Sequence, residues 1–156
     1  CRSYIYLKTL YPEMNHVLPE EVGDNMCPSE VPQGSVVYVP VDRYHAIANG
    51  CFDMATNFFS FGEMKRTHFK GYFRSDPFTK SRVVYLVNRF VSAPNFEPTY
   101  DSDLDVRDYV LTEKHIRYFD VFPMHQYLTT NRLLFGRKGA RPSSSSYFEM
   151  IYNNEN

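Results

Sequence analysis

Between positions 42 and 57 the chain carries Asp42, His45, Asp53 and Asn57, in the polar company of Arg43, Asn49 and Gly50. A carboxylate or imidazole within hydrogen-bond reach of a hydroxyl can take its proton, and an amide beside it can orient a substrate. The stretch lies between two strand-like runs, where the active-site loops of α/β domains commonly emerge. The spacing predicts that these four side chains line one concave site. Asp53 is the leading candidate for a general base, with Asp42 and His45 behind it and Asn57 as a substrate contact. A single histidine is more often a surface or capping residue than a ligand, and His45 stands apart only through its loop neighbours.

Other chemistries lack their residues. The histidines at 16, 45, 68, 115 and 125 show no HExxH or H-x3-H spacing, so a zinc hydrolase is excluded. No GxSxG elbow, P-loop or GxGxxG is present. The aspartates at 101, 103, 105 and 108 resemble a calcium loop only superficially, because Val106 and Thr112 stand where an EF-hand needs Gly and Glu. They read instead as the acidic start of a helix. Cys1, Cys27 and Cys51 are odd in number and lack a CxxC pair, and free, mostly buried thiols are the expectation.

Charge excludes a further class. Seventeen Lys and Arg nearly cancel eighteen Asp and Glu, and a net charge of -1 does not suit a protein that neutralises phosphates over a broad surface, so no nucleic-acid partner is expected. No apolar stretch reaches the roughly 20 residues of a membrane span. A start on Cys1 rather than Met implies a longer precursor.

The elements that must position this chemistry read as an α/β domain with a mixed central sheet flanked by helices. The 156 residues are 43% apolar and 22% charged, the size and composition of one compact domain. With 13 Tyr, 13 Phe and no Trp, the core reads as Phe-built with Tyr at its margins. A groove of tyrosines for a sugar or a base is the open alternative. Tyr4–Leu7 and Ser35–Val39 read as strands, separated by a loop region of about 25 residues punctuated by Pro and Gly. Phe58 to Gly62 reads as a strand end and is followed by a helix from Glu63. The apolar repeat from Val83 to Val91 favours a helix over Thr79–Ser92. A second helix is expected over Ser102–Lys114, with Ser102 as N-cap and Asp105 in the capping-box position. His115 to Phe122 alternates as a strand, with Ile116, Tyr118, Asp120 and Phe122 on one face. Val36–Val39 and Ile116–Phe122 are expected in one sheet. Leu133 to Phe135 is a last short strand. Residues 1–136 then form one domain, and 137–156 a basic and Ser-rich tail.

Several segments carry a family resemblance. The run Val36-Val37-Tyr38-Val39-Pro40, the segment Thr56-Asn57-Phe58-Phe59-Ser60-Phe61-Gly62 and the helix with Met64 near its start resemble GT-A-like glycosyltransferases of algae and large DNA viruses. That group carries an "R-x-D" strand end, "IYVP", a segment like "GGINDRFAFG", and an "F-x-PE-x-LL" helix, to which Phe96-Glu97-Pro98-Thr99-Tyr100 through Leu111 is similar. The resemblance covers Tyr4 to Arg137. It implies the acceptor-side half of a domain that transfers a sugar from a nucleotide-sugar donor to a glycan acceptor, with the nucleotide-binding strands upstream of Cys1. It also implies Mn²⁺ or Mg²⁺ on the diphosphate, and Arg132 or Arg137 as the terminal arginine, Arg132 being the candidate to steady a leaving phosphate. Two acidic positions differ: Lys8-Thr9-Leu10 stands at "R-x-D", and Asn57 stands at the Asp of "NDRF", with Glu13 and Asp53 the nearest acids. Weak nucleotide-sugar binding by the chain alone follows. A non-enzymatic viral structural or surface-recognition domain is the competing class.

Overall fold

The computed structural model describes residues 2–21, 30–47, 52–92, 104–123 and 147–154. The chain divides after Phe52 into two compact units, inside the stretch that reads from sequence as one domain.

In the first unit a helix, α1 (Arg2–Leu10), precedes two short parallel strands, β1 (Asn15–Val17) and β2 (Ser35–Val37). The expected strand at Tyr4–Leu7 is therefore helical. Four β-favouring residues are a weak prior, and local bonds override it: the Thr9 hydroxyl donates to the Ile5 carbonyl at 2.8 Å and Tyr11 N–H to Leu7 at 2.8 Å. Tyr38 is the buried centre of this unit, stacked on His16 and edge-on to Tyr4.

The second unit carries β3 (Met54–Phe58), α2 (Arg66–Phe73), α3 (Asp76–Thr79) and β4 (Val83–Arg89). A small pair, β5 (Val91–Ser92) with β6 (Leu104–Asp105), precedes β7 (His115–Val121) and β8 (Tyr147–Asn153). The main sheet is four-stranded and mixed, in the order β3-β4-β8-β7. β3 and β4 run parallel, and such a pair requires a crossover, which α2 and α3 supply. β8 is antiparallel to both its neighbours. The α/β content and mixed sheet agree with the sequence reading, although Val36 and Val37 belong to the small sheet of the first unit and not to the sheet of Ile116–Phe122.

One face of this sheet makes the core. Ala55, Val84, Leu86, Phe148, Met150 and Tyr152 pack beneath Phe61, Phe69, Phe73 and Phe78 from the crossover, with Leu104, Tyr109 and Leu111 beside them. The rings of Phe69, Phe73, Phe148 and Tyr109 meet at centroid distances of 5.0–5.8 Å. The core is Phe-rich as the composition predicts, but Tyr109 and Tyr152 are buried within it rather than at its margins.

Several expectations give way here. The helix expected over Thr79–Ser92 ends at Thr79 and becomes β4. A short apolar run buried on both sides mimics helical spacing, and the run of Val83, Val84, Tyr85 and Val87 was the better guide. The helix expected over Ser102–Lys114 is a 3-10 turn at Val106–Tyr109. Its cap is Asp105, whose carboxylate accepts from Arg107 N–H at 2.8 Å while Asp108 accepts from Asp105 N–H at 2.9 Å. The capping box thus forms three residues later than expected, and Ser102 lies outside the described residues.

The His115–Phe122 strand forms, but a bulge between Ile116 and Tyr118 breaks its alternation. Ile116, Phe119 and Val121 align with Tyr152, Met150 and Phe148 on the core side, which leaves Tyr118 and Asp120 on the other. The expected tail supplies β8, the strand between β4 and β7, with Phe148, Met150 and Tyr152 buried. Leu133–Phe135, Arg132, Cys1, Cys27 and Cys51 lie outside the described residues.

Candidate functional site

The four polar residues singled out in the sequence fall in different surroundings. Asp42 is exposed in a 3-10 turn, Val41–Ala46, of the first unit, and His45 belongs to the same turn. Asp53 and Asn57 belong to the second unit and stand at opposite ends of β3, about 13 Å apart along an extended strand. Asp53 is exposed at the N-terminal end, and its carbonyl accepts from Val83 N–H at 3.0 Å. Ligands of open α/β sheets gather beyond the carboxyl ends of parallel strands, which is Asn57's end.

Asn57 is occupied by the fold. Its Oδ1 accepts from Phe61 N–H at 3.2 Å and from Asn88 Nδ2 at 3.1 Å, and its Nδ2 donates to the Ser60 hydroxyl at 2.6 Å. The amide therefore ties the end of β3 to the turn that starts the crossover. A neutral amide so engaged has no proton-accepting role.

The resemblance implies a hard divalent cation, which wants carboxylate oxygens. Its two acidic positions carry Leu10, a hydrocarbon, and Asn57, an engaged amide. Among the described residues no three His, Cys, Asp or Glu side chains come together. The described residues do not fit a Mn²⁺ or Mg²⁺ centre. His16 is likewise structural: Nε2 donates to the Tyr11 carbonyl at 2.9 Å, leaving Nδ1 to accept from the Tyr38 hydroxyl at 2.8 Å.

A different set of groups does converge, on the face of the four-stranded sheet opposite the core. β8 alternates strictly, so Phe148, Met150 and Tyr152 go inward while Tyr147, Glu149 and Ile151 go outward. The register sets Glu149 directly opposite Asp120 on β7 and opposite Val87 on β4. Tyr85 of β4 reaches diagonally to donate its hydroxyl to Glu149. Burial first, then the Glu149 bond and charge, push the Tyr85 hydroxyl up to about 12. Tyr118 on β7 is raised by burial, by the charges of Asp120 and Glu149 and by its own hydrogen bond to the Asp120 carboxylate. Phe58 closes the row on β3, edge-on to Tyr85 at 5.1 Å.

At the carboxyl end of the parallel pair the same face carries a cation. Arg89 stands opposite Tyr147, donates from Nε to its hydroxyl at 3.0 Å and lies 5.6 Å from its ring centroid. The bond to Tyr147 is the main cause that raises the guanidinium further and keeps it charged. Phe59 follows β3 with a φ of 60°, a conformation rare for a bulky residue, and packs on Tyr147 at 5.0 Å and Phe122 at 5.7 Å. Backbone strain of this kind clusters at functional sites.

The face thus joins two opposed carboxylates, a fixed guanidinium and edge-on aromatic rings around Val87, which is fully buried. Carboxylates accept from hydroxyls or take their protons, guanidinium holds an anion, and rings offer flat apolar platforms. The sequence reading missed Glu149 and Tyr147 by assigning them to a tail, and Tyr85 and Arg89 by assigning them to a helix. The signal that finds them is the inward alternation of Phe148, Met150 and Tyr152. No protein-family model, curated protein or solved structure matches the chain.

Proposed function

We propose that the chain is a glycosyltransferase-like domain that transfers a sugar from a nucleotide-sugar donor to a glycan acceptor across the face of its sheet opposite the core. The observation that carries this reading is the placement of Arg89 and Glu149 on one face. Arg89 is in register with Tyr147, two residues from Glu149, so anion holder and base are offset by about 7 Å along the strands. Glu149 takes the proton of the acceptor hydroxyl as that oxygen bonds to the anomeric carbon of the donor sugar. The bond from that carbon to the diphosphate oxygen breaks, its electron pair stays on the diphosphate, and the Arg89 guanidinium neutralises the developing charge. Tyr85, donating to Glu149, orients the base. The order β3, the turn through Phe61 and Gly62, then α2 with Met64 before it supports the likeness to the "GGINDRFAFG" segment and the helix that follows it in that family.

A second reading is a recognition domain that binds without transferring. Leu10 and Asn57 at the family's acidic positions favour it. One experiment separates the two: incubation with a panel of nucleotide sugars at millimolar concentration and an oligosaccharide acceptor, with extended glycans detected by mass spectrometry. Transfer is expected, with a loss of about 10²–10⁴-fold in Glu149→Gln and no loss in Asp53→Asn. No product, or product unchanged by Glu149→Gln, refutes the proposed chemistry.

A further inference from the structure

We infer that the chain pairs with a second copy of itself along the free edge of β7, the two strands running antiparallel about a two-fold axis at Phe119. The sheet of one copy then continues into the sheet of the other. Exposure, backbone direction and charge each point to this occupant.

β7 is an outer strand, and its residues are unusually apolar for an edge left to water. Ile116, Tyr118 and Phe119 are 50%, 42% and 47% exposed. Ile116 and Phe119 stand on the core side of the sheet, where Phe119 stacks on Phe148 and meets Phe90 edge-on. The core therefore runs out to this edge without being closed over. A long, apolar, exposed edge strand is a template for another strand.

The backbone is turned to receive one. Phe122 N–H donates to the Tyr147 carbonyl at 3.0 Å, so by alternation Asp120 faces β8 while Phe119 and Val121 face the free edge. The Val121 N–H is taken at 2.6 Å by the Asp120 carboxylate. Phe119 offers both its N–H and its C=O, and a two-fold axis there lets each copy donate to the other and accept from it. The bulge at Arg117 and the Asp120 bond shorten the ladder on either side, which confines the contact to a few residues.

Register and charge agree on that axis. Residues opposite each other in an antiparallel pair share a side of the sheet, so only shifts that keep the sides matched are open. With the axis at Phe119, Ile116 meets the second copy's Val121 on the core side, and Tyr118 meets the second copy's Asp120 on the other. The bulged Arg117, between Ile116 and Tyr118, then stands beside the second copy's Asp120, and symmetry makes the pair twice. Moving the axis to Asp120 sets two carboxylates opposite each other, and moving it to Tyr118 draws Arg117 away from Asp120. Arg117 and Asp120 are the two fixed charges of the strand, and one register pairs both.

A single strand from each copy buries less than about 1,200 Å² in total, the size of a weak and reversible contact. Sedimentation equilibrium of the whole chain is expected to show monomer and dimer with a dissociation constant between about 10 µM and 1 mM. Arg117→Asp and Asp120→Arg each set like charges together twice, and each alone should weaken the dimer by about tenfold or more. Mixed in equal amounts, the two variants should dimerise again, because every contact then joins one Asp to one Arg. Thermal melting checks that both variants fold. Should either fail, the unaltered chain still decides: its Phe119 amide should exchange about twofold or more slowly at 1 mM than at 10 µM. A chain that stays monomeric at about 1 mM, a dimer indifferent to both charge variants, no recovery on mixing the folded variants, a Phe119 amide indifferent to concentration, or open-ended polymers overturns the inference.

Discussion

The two faces of the four-stranded sheet are built from the same residue types and do different work. Tyr152 and Tyr85 sit on facing strands, β8 and β4. Tyr152 points inward, where it is fully buried and donates to the Tyr109 carbonyl. Tyr85 points to the other face and donates to the half-buried Glu149 carboxylate. Burial raises both hydroxyls to about 12. The inward tyrosine completes a backbone bond, while the other holds a half-buried acid in place. Residue type alone does not separate core from site. The partner at the end of the side chain does.

The largest effect expected from this contrast is in stability. Phe73→Ala and Phe148→Ala remove rings with no exposure from the core side and should each cost about 3–5 kcal/mol in denaturant unfolding. Tyr118→Ala, at a ring 42% exposed on the other side, should cost well under 1 kcal/mol by the same measurement. A comparable loss from Tyr118→Ala would mean that the β7 end of this face is packed as tightly as the core.

Next in size is a reversal of sign. The Tyr109 hydroxyl is buried without a hydrogen-bond partner among the described residues. Tyr109→Phe should therefore stabilise the chain by up to about 1 kcal/mol, whereas Tyr152→Phe, which leaves the Tyr109 carbonyl short of a donor, should destabilise it by about 1 kcal/mol. Paired urea titrations check both signs.

Alkaline titration gives a smaller contrast. With hydroxyls at about 12 in the folded chain and near 10 when unfolded, the unfolded chain releases these protons first. The folded chain then binds more protons between pH 10 and 12, so stability is full below pH 10 and falls through that window. Tyr152→Phe should flatten the fall more than Tyr85→Phe, since Tyr85 is nearer solvent. Unfolding free energies measured from pH 9 to 12 test the order. The smallest effect belongs to the opposed carboxylates: Asp120→Asn removes the repulsion with Glu149 and should raise stability by a few tenths of a kcal/mol at neutral pH.

Much of this contrast is written in the sequence at the level of periodicity and lost at the level of partners. The strand at His115–Val121 and the helix after Met64 were legible because each repeats at its own period over several residues. β4 was not, because a strand with neighbours on both sides buries Val84, Leu86 and Val87 together and imitates helical spacing. The bulge at Arg117 moved Tyr118 away from Ile116, and no local pattern announces a bulge. Asn57 was recognisable as a polar residue at a strand end, but the sequence could not say that its amide is spent on Phe61, Ser60 and Asn88. Glu149 became visible only once β8 was seated between β4 and β7, a pairing of residues 64 apart in the case of Tyr85.

The most direct test of the claim that the face opposite the core is the functional one is a map of where sugar binds. The backbone amide shifts of the isotope-labelled chain are followed by NMR during titration with an oligosaccharide acceptor. The account predicts shifts centred on Phe58, Tyr85, Tyr118, Asp120 and Glu149, fading toward Arg89, with Phe69, Phe73 and Leu86 unmoved. Shifts centred instead on α2, on the first unit's β1 and β2, or on the turn that holds Asp42 would contradict it.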